Sequence, residues 1–145
     1  MERKYELVAT TIDDINFIKD AKITTIFDYA QNISEEECAK ILSYVDRYVA
    51  KFLNEYKIIS KDGQRCGVVL IRNFEDGFLL DEIYLLAECR NMGIGTDIIK
   101  NAKIKYPKIY LWVYKDNKRA IKLYKSLGFN IIDDKNQRYF MVYTK

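Results

Sequence analysis

Three strand-like segments follow one another between residues 56 and 86, and the turns between them carry Asp-Gly steps. Tyr56-Lys57-Ile58-Ile59-Ser60 and Cys66-Gly67-Val68-Val69-Leu70-Ile71 are rich in β-branched side chains, which pack well on a pleated surface. Lys61-Asp62-Gly63-Gln64 separates them, and an Asp-Gly pair suits a hairpin because both residues accept positive φ. Glu75-Asp76-Gly77 leads into a long third strand, from 78 to about 86. Strands joined by such short turns pair antiparallel, since a parallel pair needs a long crossover. The rest of the chain must therefore fold around an antiparallel centre.

Helical and strand patterns flank that centre. Residues 5–9 form a short strand-like stretch. Thr11 can cap a helix, with Asp14 favouring its positive end, and Ile12, Ile15 and Ile18 follow at helical spacing. Residues 23–33 fit either a second short helix or an irregular crossing. Ser34-Glu35-Glu36-Glu37 reads as a capping box, and Cys38, Ile41, Leu42, Val45, Tyr48, Val49 and Phe52 form one apolar stripe behind it. After the antiparallel run, Ile98, Ile99 and Ala102 mark a helix that Pro107 stops. Ile109, Leu111 and Val113 alternate as a strand. Ala120, Ile121, Tyr124 and Leu127 mark another helix, which Gly128 is placed to end. Segments 129–132 and 138–143 read as two closing strands around a polar turn at 133–137. The expectation is an α/β (α+β) fold with a mixed, mostly antiparallel sheet of six or seven strands and about four helices.

With 145 residues, the chain matches a single domain over 1–145 at ~150 residues per domain. It contains no His, which excludes a Ser-His-Asp triad, a His-ligated zinc site and imidazole acid–base chemistry. The three cysteines, Cys38, Cys66 and Cys89, are an odd number without Cys-x-x-Cys spacing, so reduced thiols, no structural metal and a cytoplasmic location are expected. The charged start at residues 1–5 lacks the apolar run of a signal peptide, and no 18-residue apolar stretch predicts a membrane helix. Charge is uneven: residues 1–75 have net −2 and residues 76–145 net +5. The basic half can attract a polyanion, but no dense Lys/Arg block or finger spacing points to nucleic acid.

Two motifs lie in that basic half. Arg90-Asn91-Met92-Gly93-Ile94-Gly95-Thr96 sits between a strand and a helix, where Gly-exposed backbone N–H groups bind phosphate well. A Walker loop would need Lys-Ser/Thr where Thr96-Asp97 stands, and a dinucleotide fingerprint would need Gly or Ala at Ile98. The second motif runs from Asn117 to Phe129 and reads Asn-x-x-Ala-x-x-x-Tyr-x-x-x-Gly-Phe, with Tyr124 two helical turns beyond Asn117.

Together these motifs resemble those of the GNAT superfamily of acyl-CoA-dependent N-acetyltransferases. Arg90-x-x-Gly93-x-Gly95 is similar to the family's pyrophosphate loop, the 117–129 segment matches its later motif, and Leu80-Asp81-Glu82-Ile83-Tyr84-Leu85 resembles the strand before the loop. Asn91 and Ala87 stand where the family often has Gly and Pro. The resemblance implies acetyl-CoA as cosubstrate and no metal. It implies that the backbone of Ile83, Tyr84 and Leu85 pairs with the pantetheine arm. Arg90, Asn91, Met92, Gly93, Ile94, Gly95 and Thr96 would cradle the pyrophosphate, and Asn117 and Tyr124 would face the thioester.

The implied reaction is direct attack by a primary amine in a ternary complex. A Lys-like ammonium, with a pKa of about 10.4, must first lose a proton, and the leaving thiolate must gain one. Tyr124 is the candidate acid, and Asp81, Glu82 or water the candidate base. Alternation on a regular strand would aim only one of the two carboxylates at the acceptor, unless a bulge intervenes. Asp81, Glu82, Asp28 and Tyr29 are candidate acceptor contacts, and these carboxylates lean towards a cationic acceptor. A small-molecule or protein amine is the expected partner, with no nucleic acid or membrane and with a homodimer left open. The alternative is a non-catalytic or weakly catalytic acyl-CoA-binding regulatory module.

Overall fold

A computed structural model describes residues 5–30 and 32–145 of the chain. The charged segment at 1–4, part of the reading on signal peptides, lies outside the described residues. The elements run β1 (Glu6–Ala9), a 3-10 turn (Ile12–Asp14), α1 (Ile15–Tyr29), α2 (Glu35–Phe52), β2 (Tyr56–Lys61), β3 (Gln64–Phe74) and β4 (Gly77–Leu85). A second 3-10 turn (Ala87–Cys89) then leads to α3 (Ile94–Lys105), β5 (Lys108–Tyr114), α4 (Lys118–Ser126), β6 (Asn130–Lys135) and β7 (Arg138–Thr144).

The seven strands form one sheet in the order β1-β2-β3-β4-β5-β7-β6. Every pair is antiparallel except β4 with β5. The β4-to-β5 connection is the crossover through α3, which a parallel pair requires. Asp62 and Gly63 both have positive φ, 53° and 78°, so the β2–β3 hairpin uses the backbone that Asp-Gly favours.

Period-two alternation divides the core between the two sheet faces. Ile58, Val68 and Leu70 bury against Ile18, Ala21, Val45 and Val49, so α1 and α2 cover one face. Ile59, Val69, Leu80, Ile109 and Leu111 bury against Ile94, Ile98, Ile99, Tyr124 and Leu127, so α3 and α4 cover the other. Tyr56, Phe129 and Met141 are among the largest fully buried side chains.

Local signals act where the chemistry of the residues places them. Thr11 and Asp14 form the reciprocal capping box that starts the α1 region. Ser34 accepts from the Glu37 N–H at 3.1 Å, and its hydroxyl donates to the Glu37 carboxylate at 3.2 Å, a single cap rather than a full box. In the ambiguous 23–33 stretch, residues 23–29 are the end of α1, which runs unbroken to Tyr29, and residue 31 lies outside the described residues. Of the polar turn expected at 133–137, residues up to Lys135 are strand. Asp133, Asp134 and Lys135 pair with Phe140, Tyr139 and Arg138, and Asn136 turns the chain at φ 55°.

The cysteines depart from expectation. Cys66 and Cys89 are disulfide-bonded with Cα atoms 6.0 Å apart, whereas Cys38 is free. Their 23-residue separation has no local signature. Sheet pairing brings them together: the Leu86 N–H donates to the Cys66 carbonyl at 2.9 Å, which returns the chain after β4 to the start of β3. No helix among the described residues is long and apolar enough to cross a membrane.

Candidate active site

The site begins with an irregularity in β4. Leu70 of β3 pairs with Glu82, but the next residue, Ile71, pairs with Leu80, so Asp81 is the extra residue of a bulge. A bulge interrupts the alternation of faces, and Asp81 and Glu82 both line one cavity of about 880 Å³. The pairing with β5 also stops here. Phe78, Leu79 and Leu80 pair with Ile109, Tyr110 and Leu111, and no later residue of β4 pairs with β5. From Asp81 onward β4 is held by β3 alone, through Ile83–Val69, Tyr84–Val68 and Leu85–Gly67. Its other edge opens towards the cavity.

The cavity is large enough for a ligand of drug-like size. Residues of α1, α2, β4, β5, α4 with its Asn117 cap, and the β6–β7 turn line it. The two carboxylates are held differently. Asp81 forms a 2.9 Å ion pair with Arg72, which favours its charged form, but burial pushes its carboxyl above the usual range. Lys22 and Arg138 oppose that shift. Glu82 is only 8% exposed. It accepts from the Tyr56 hydroxyl at 2.7 Å through Oε2, while its buried Oε1 has no hydrogen-bond partner. Burial also raises the Glu82 carboxyl, with Lys22 and the Tyr56 hydrogen bond acting in the other direction.

Tyr124 comes from α4 and lines the same cavity. Its hydroxyl makes no hydrogen bond among the described residues. Burial, with the Tyr29 hydroxyl second, pushes it up to about 12, so it carries its proton at neutral pH. Asn117 caps α4 by accepting the Ala120 N–H at 3.2 Å and also lines the cavity. Tyr29 lines it as well, stacked on Tyr114 with ring centres 5.2 Å apart. Asp28 is exposed on α1 and lies outside the cavity lining.

The Gly-rich turn sits beside the open half of β4. A side chain built at Gly95 would meet the tips of Leu85 and Ile83 at 3.8 and 3.9 Å. Gly93 has φ +80° and caps α3, and a Cβ there would meet nothing within 4 Å. Asn91 is also left-handed, at φ 63°, which Asn tolerates better than most residues, so it can stand in the place of a glycine. The first ladder bond of α3 runs from the Asp97 N–H to the Gly93 carbonyl. The N–H groups of Ile94, Gly95 and Thr96 therefore precede the helical ladder, at the positive end of the helix dipole. Arg90 donates to the Leu85 carbonyl at 2.8 Å and lies 5.6 Å over the Tyr84 ring, while Arg119 donates to the Asn91 side chain. Met92 is half-exposed, and its sulfur accepts from the Lys61 ammonium at 3.2 Å. An open left-handed cradle, spare N–H groups and adjacent arginines fit a pyrophosphate.

Several residues of the site carried no expectation. Lys22, Tyr44, Trp112 and Arg138 line the cavity, while Arg72 and Tyr56 hold the carboxylates. Lys22 had a legible signal: it stands one turn after Ile18 and beside Ala21, on the apolar face of α1, where an ordinary surface lysine does not belong.

Comparison with known proteins agrees with this architecture. A family model described as an acetyltransferase (GNAT) domain matches residues 53–131. A search of curated proteins found no match. Among solved structures, PaiA N-acetyltransferase from Thermoplasma acidophilum, in complex with coenzyme A, is 19% identical with a TM-score of 0.71, covering 99% of this chain and 100% of its own. Arabidopsis thaliana Naa50, in complex with the bisubstrate analogue CoA-Ac-MVNAL, is 21% identical with a TM-score of 0.69, covering 99% and 100%. A chimera of spermidine N-acetyltransferase SpeG from Vibrio cholerae and hSSAT is 17% identical with a TM-score of 0.65, covering 98% and 96%. At these identities the solved structures establish a shared fold.

Proposed function

Because the chain belongs to the GNAT acetyltransferase family, we propose that it transfers an acetyl group from acetyl-CoA to a primary amine bound in the cavity beside β4. One observation carries this reading. The bulge at Asp81 puts both Asp81 and the buried Glu82 on the cavity that Tyr124 also lines. A proton acceptor and a proton donor thus face one space, without any histidine. The expected compartment is the cytoplasm.

Acetyl-CoA supplies the activated acetyl thioester. The N–H groups of Ile94, Gly95 and Thr96, with Arg90 and the Gly93 cradle, hold its pyrophosphate. The unpaired edge at Ile83, Tyr84 and Leu85 offers backbone groups to its arm, and Asn117 lies at the reacting end. Glu82, which lines the cavity, takes the proton of the acceptor ammonium on its carboxylate, by way of water. Burial raises its basicity, which brings it closer to the amine it must deprotonate. Asp81, held by Arg72, positions the acceptor. Attack forms the amide C–N bond and breaks the C–S bond, and Tyr124 gives its hydroxyl proton to the sulfur. The nitrogen loses its second proton as the amide forms, and that proton, passed through water, restores the tyrosinate, a stronger base than a thiolate whose thiol has a pKa of about 8.5.

Release of free CoA in the presence of an amine panel tests the reading. Turnover that depends on the amine and on Glu82 supports acetyl transfer. Tight acetyl-CoA binding without release of CoA with any amine would instead identify a binding module.

A further inference from the structure

The charges lining the cavity suit a different acceptor from the cationic one that two carboxylates alone suggest. Lys22 is only 9% exposed, yet it has no carboxylate within ion-pairing distance among the described residues. Its ammonium lies 4.2 Å over the Tyr48 ring and 5.9 Å from the Tyr44 ring centre. Arg138 likewise has no carboxylate partner among the described residues, and its guanidinium lies 4.7 Å over Trp112. Asp81, which could have balanced either cation, is already held by Arg72 at 2.9 Å. Lys22 thus acts on Asp81 and Glu82, and Arg138 on Asp81, without either cation being in ion-pair contact with a carboxylate among the described residues.

Resting on the acetyl-transfer reading, we propose that the acceptor is a small amine that also carries a carboxylate, bound by Lys22 and Arg138, with its amino group directed to Glu82. A buried cation that lacks a counter-ion is costly, and a ligand carboxylate removes that cost. A polyamine meets the opposite situation. It would bring added positive charge to a wall where neither Lys22 nor Arg138 has an ion-pair partner among the described residues, which is how a site rejects the wrong partner. Some of the aromatic faces nearby already carry a cation, Tyr44 and Tyr48 that of Lys22 and Trp112 that of Arg138. Lys22 and Arg138 both act on Asp81, so the cations lie beside the acidic stretch of β4. That proximity suits an amine and an acid carried on neighbouring atoms.

The test uses the full chain and measures free CoA with alanine, phenylalanine and glutamate, with the carboxamide of each, and with spermidine. The expected kcat/KM is at least tenfold higher for the best amino acid than for its carboxamide, with spermidine poorest. Lys22→Met and Arg138→Gln should bring that ratio close to one, while acetyl-CoA stabilises each variant as it does the wild type. Arg138 is exposed, so its variant keeps the experiment decisive if Lys22→Met does not fold. Binding gives an independent readout: N-acetylphenylalanine should raise Tm more than its carboxamide in the wild type, and equally in Arg138→Gln. Preference for spermidine, or an unchanged ratio in Arg138→Gln, overturns the proposal while acetyl transfer stands. No CoA release with any amine overturns acetyl transfer, and this inference with it.

Discussion

The two halves of β4 share one strand but not one environment. Residues 78–80 are paired on both edges, with β3 and β5, and Leu79 and Leu80 are buried. Residues 81–85 are paired only with β3, follow a bulge, and carry two carboxylates into a cavity. The first half is built for stability, with a strand on each side and apolar side chains at Phe78, Leu79 and Leu80. The second leaves one edge unpaired and buries an oxygen of Glu82 without a partner. A stretch that gives up pairing and hydrogen bonds in this way is where chemistry is expected, because unsatisfied groups can still bind something.

The comparison breaks most sharply at Glu82. Glu82→Gln keeps the shape and removes the base, so turnover should fall by ~10²–10⁴ while acetyl-CoA affinity, measured by calorimetry, holds. Unchanged turnover would assign the open half no role in proton transfer.

Next in size is the cradle beside the open half. Acetyl-CoA at about 100 times its Kd should stabilise the wild type by ~2.7 kcal/mol. Gly93→Val should lose most of that shift, since a β-branched side chain resists φ +80° and fills the open cradle. A full shift in Gly93→Val would place the phosphates elsewhere.

Two glycines then compare the halves directly. A Cβ at Gly67 would lie 2.0 Å from the Tyr84 carbonyl oxygen in the open half, and one at Gly77 would lie 2.7 Å from the Lys108 carbonyl oxygen beside the closed half. Each collision is with backbone, so Gly67→Ala should cost about 1–3 kcal/mol in denaturant melts, and more than Gly77→Ala. Only Gly67→Ala should also weaken acetyl-CoA binding, because it displaces the Tyr84 backbone.

The smallest effect is on pH-dependent stability. Burial raises the folded-state pKa of Glu82 above its unfolded value. Its favourable contribution is complete below the unfolded value and is lost as pH rises through the folded one. The Tm of Glu82→Gln relative to wild type should therefore climb as pH rises from about 4 towards neutrality, in paired melts. Asp14 in the α1 cap region serves as an internal contrast. Burial raises its pKa, but the Thr11 N–H and Arg65 outweigh burial and lower it, so its contribution is lost as pH falls.

Why the closed half was legible in the sequence, and the open half only in part, follows from the same contrast. Alternating apolar residues, Asp-Gly turns and helix caps are local signals, and they locate β2, β3, α2, α3 and α4 closely. The loop at 90–96 and the helix carrying Asn117 and Tyr124 were equally readable, because Gly, Asn and Arg at fixed offsets have local causes. The bulge at Asp81 depends on how β3 meets β4, so strand alternation alone left Asp81 and Glu82 as alternatives. Arg72 and Tyr56, which make the two carboxylates different, reach them across the sheet. The Cys66–Cys89 bond likewise depends on strand pairing, which residue spacing does not encode. Lys22 alone offered a local sign, a charge on an apolar helical face.

The central claim is that the open half of β4 and Tyr124 form one acid–base site, and Tyr124→Phe tests it most directly. The substitution keeps the ring and its packing against Phe129, with centres 5.8 Å apart, and the hydroxyl it removes makes no hydrogen bond among the described residues. Turnover and Tm are measured on the same preparation. In Tyr124→Phe, Tm should stay nearly constant, acetyl-CoA affinity should be retained and turnover should fall by ~10²–10⁴. A fully active variant with a lowered Tm would contradict it, making Tyr124 a packing residue and leaving the thiolate to be protonated by water.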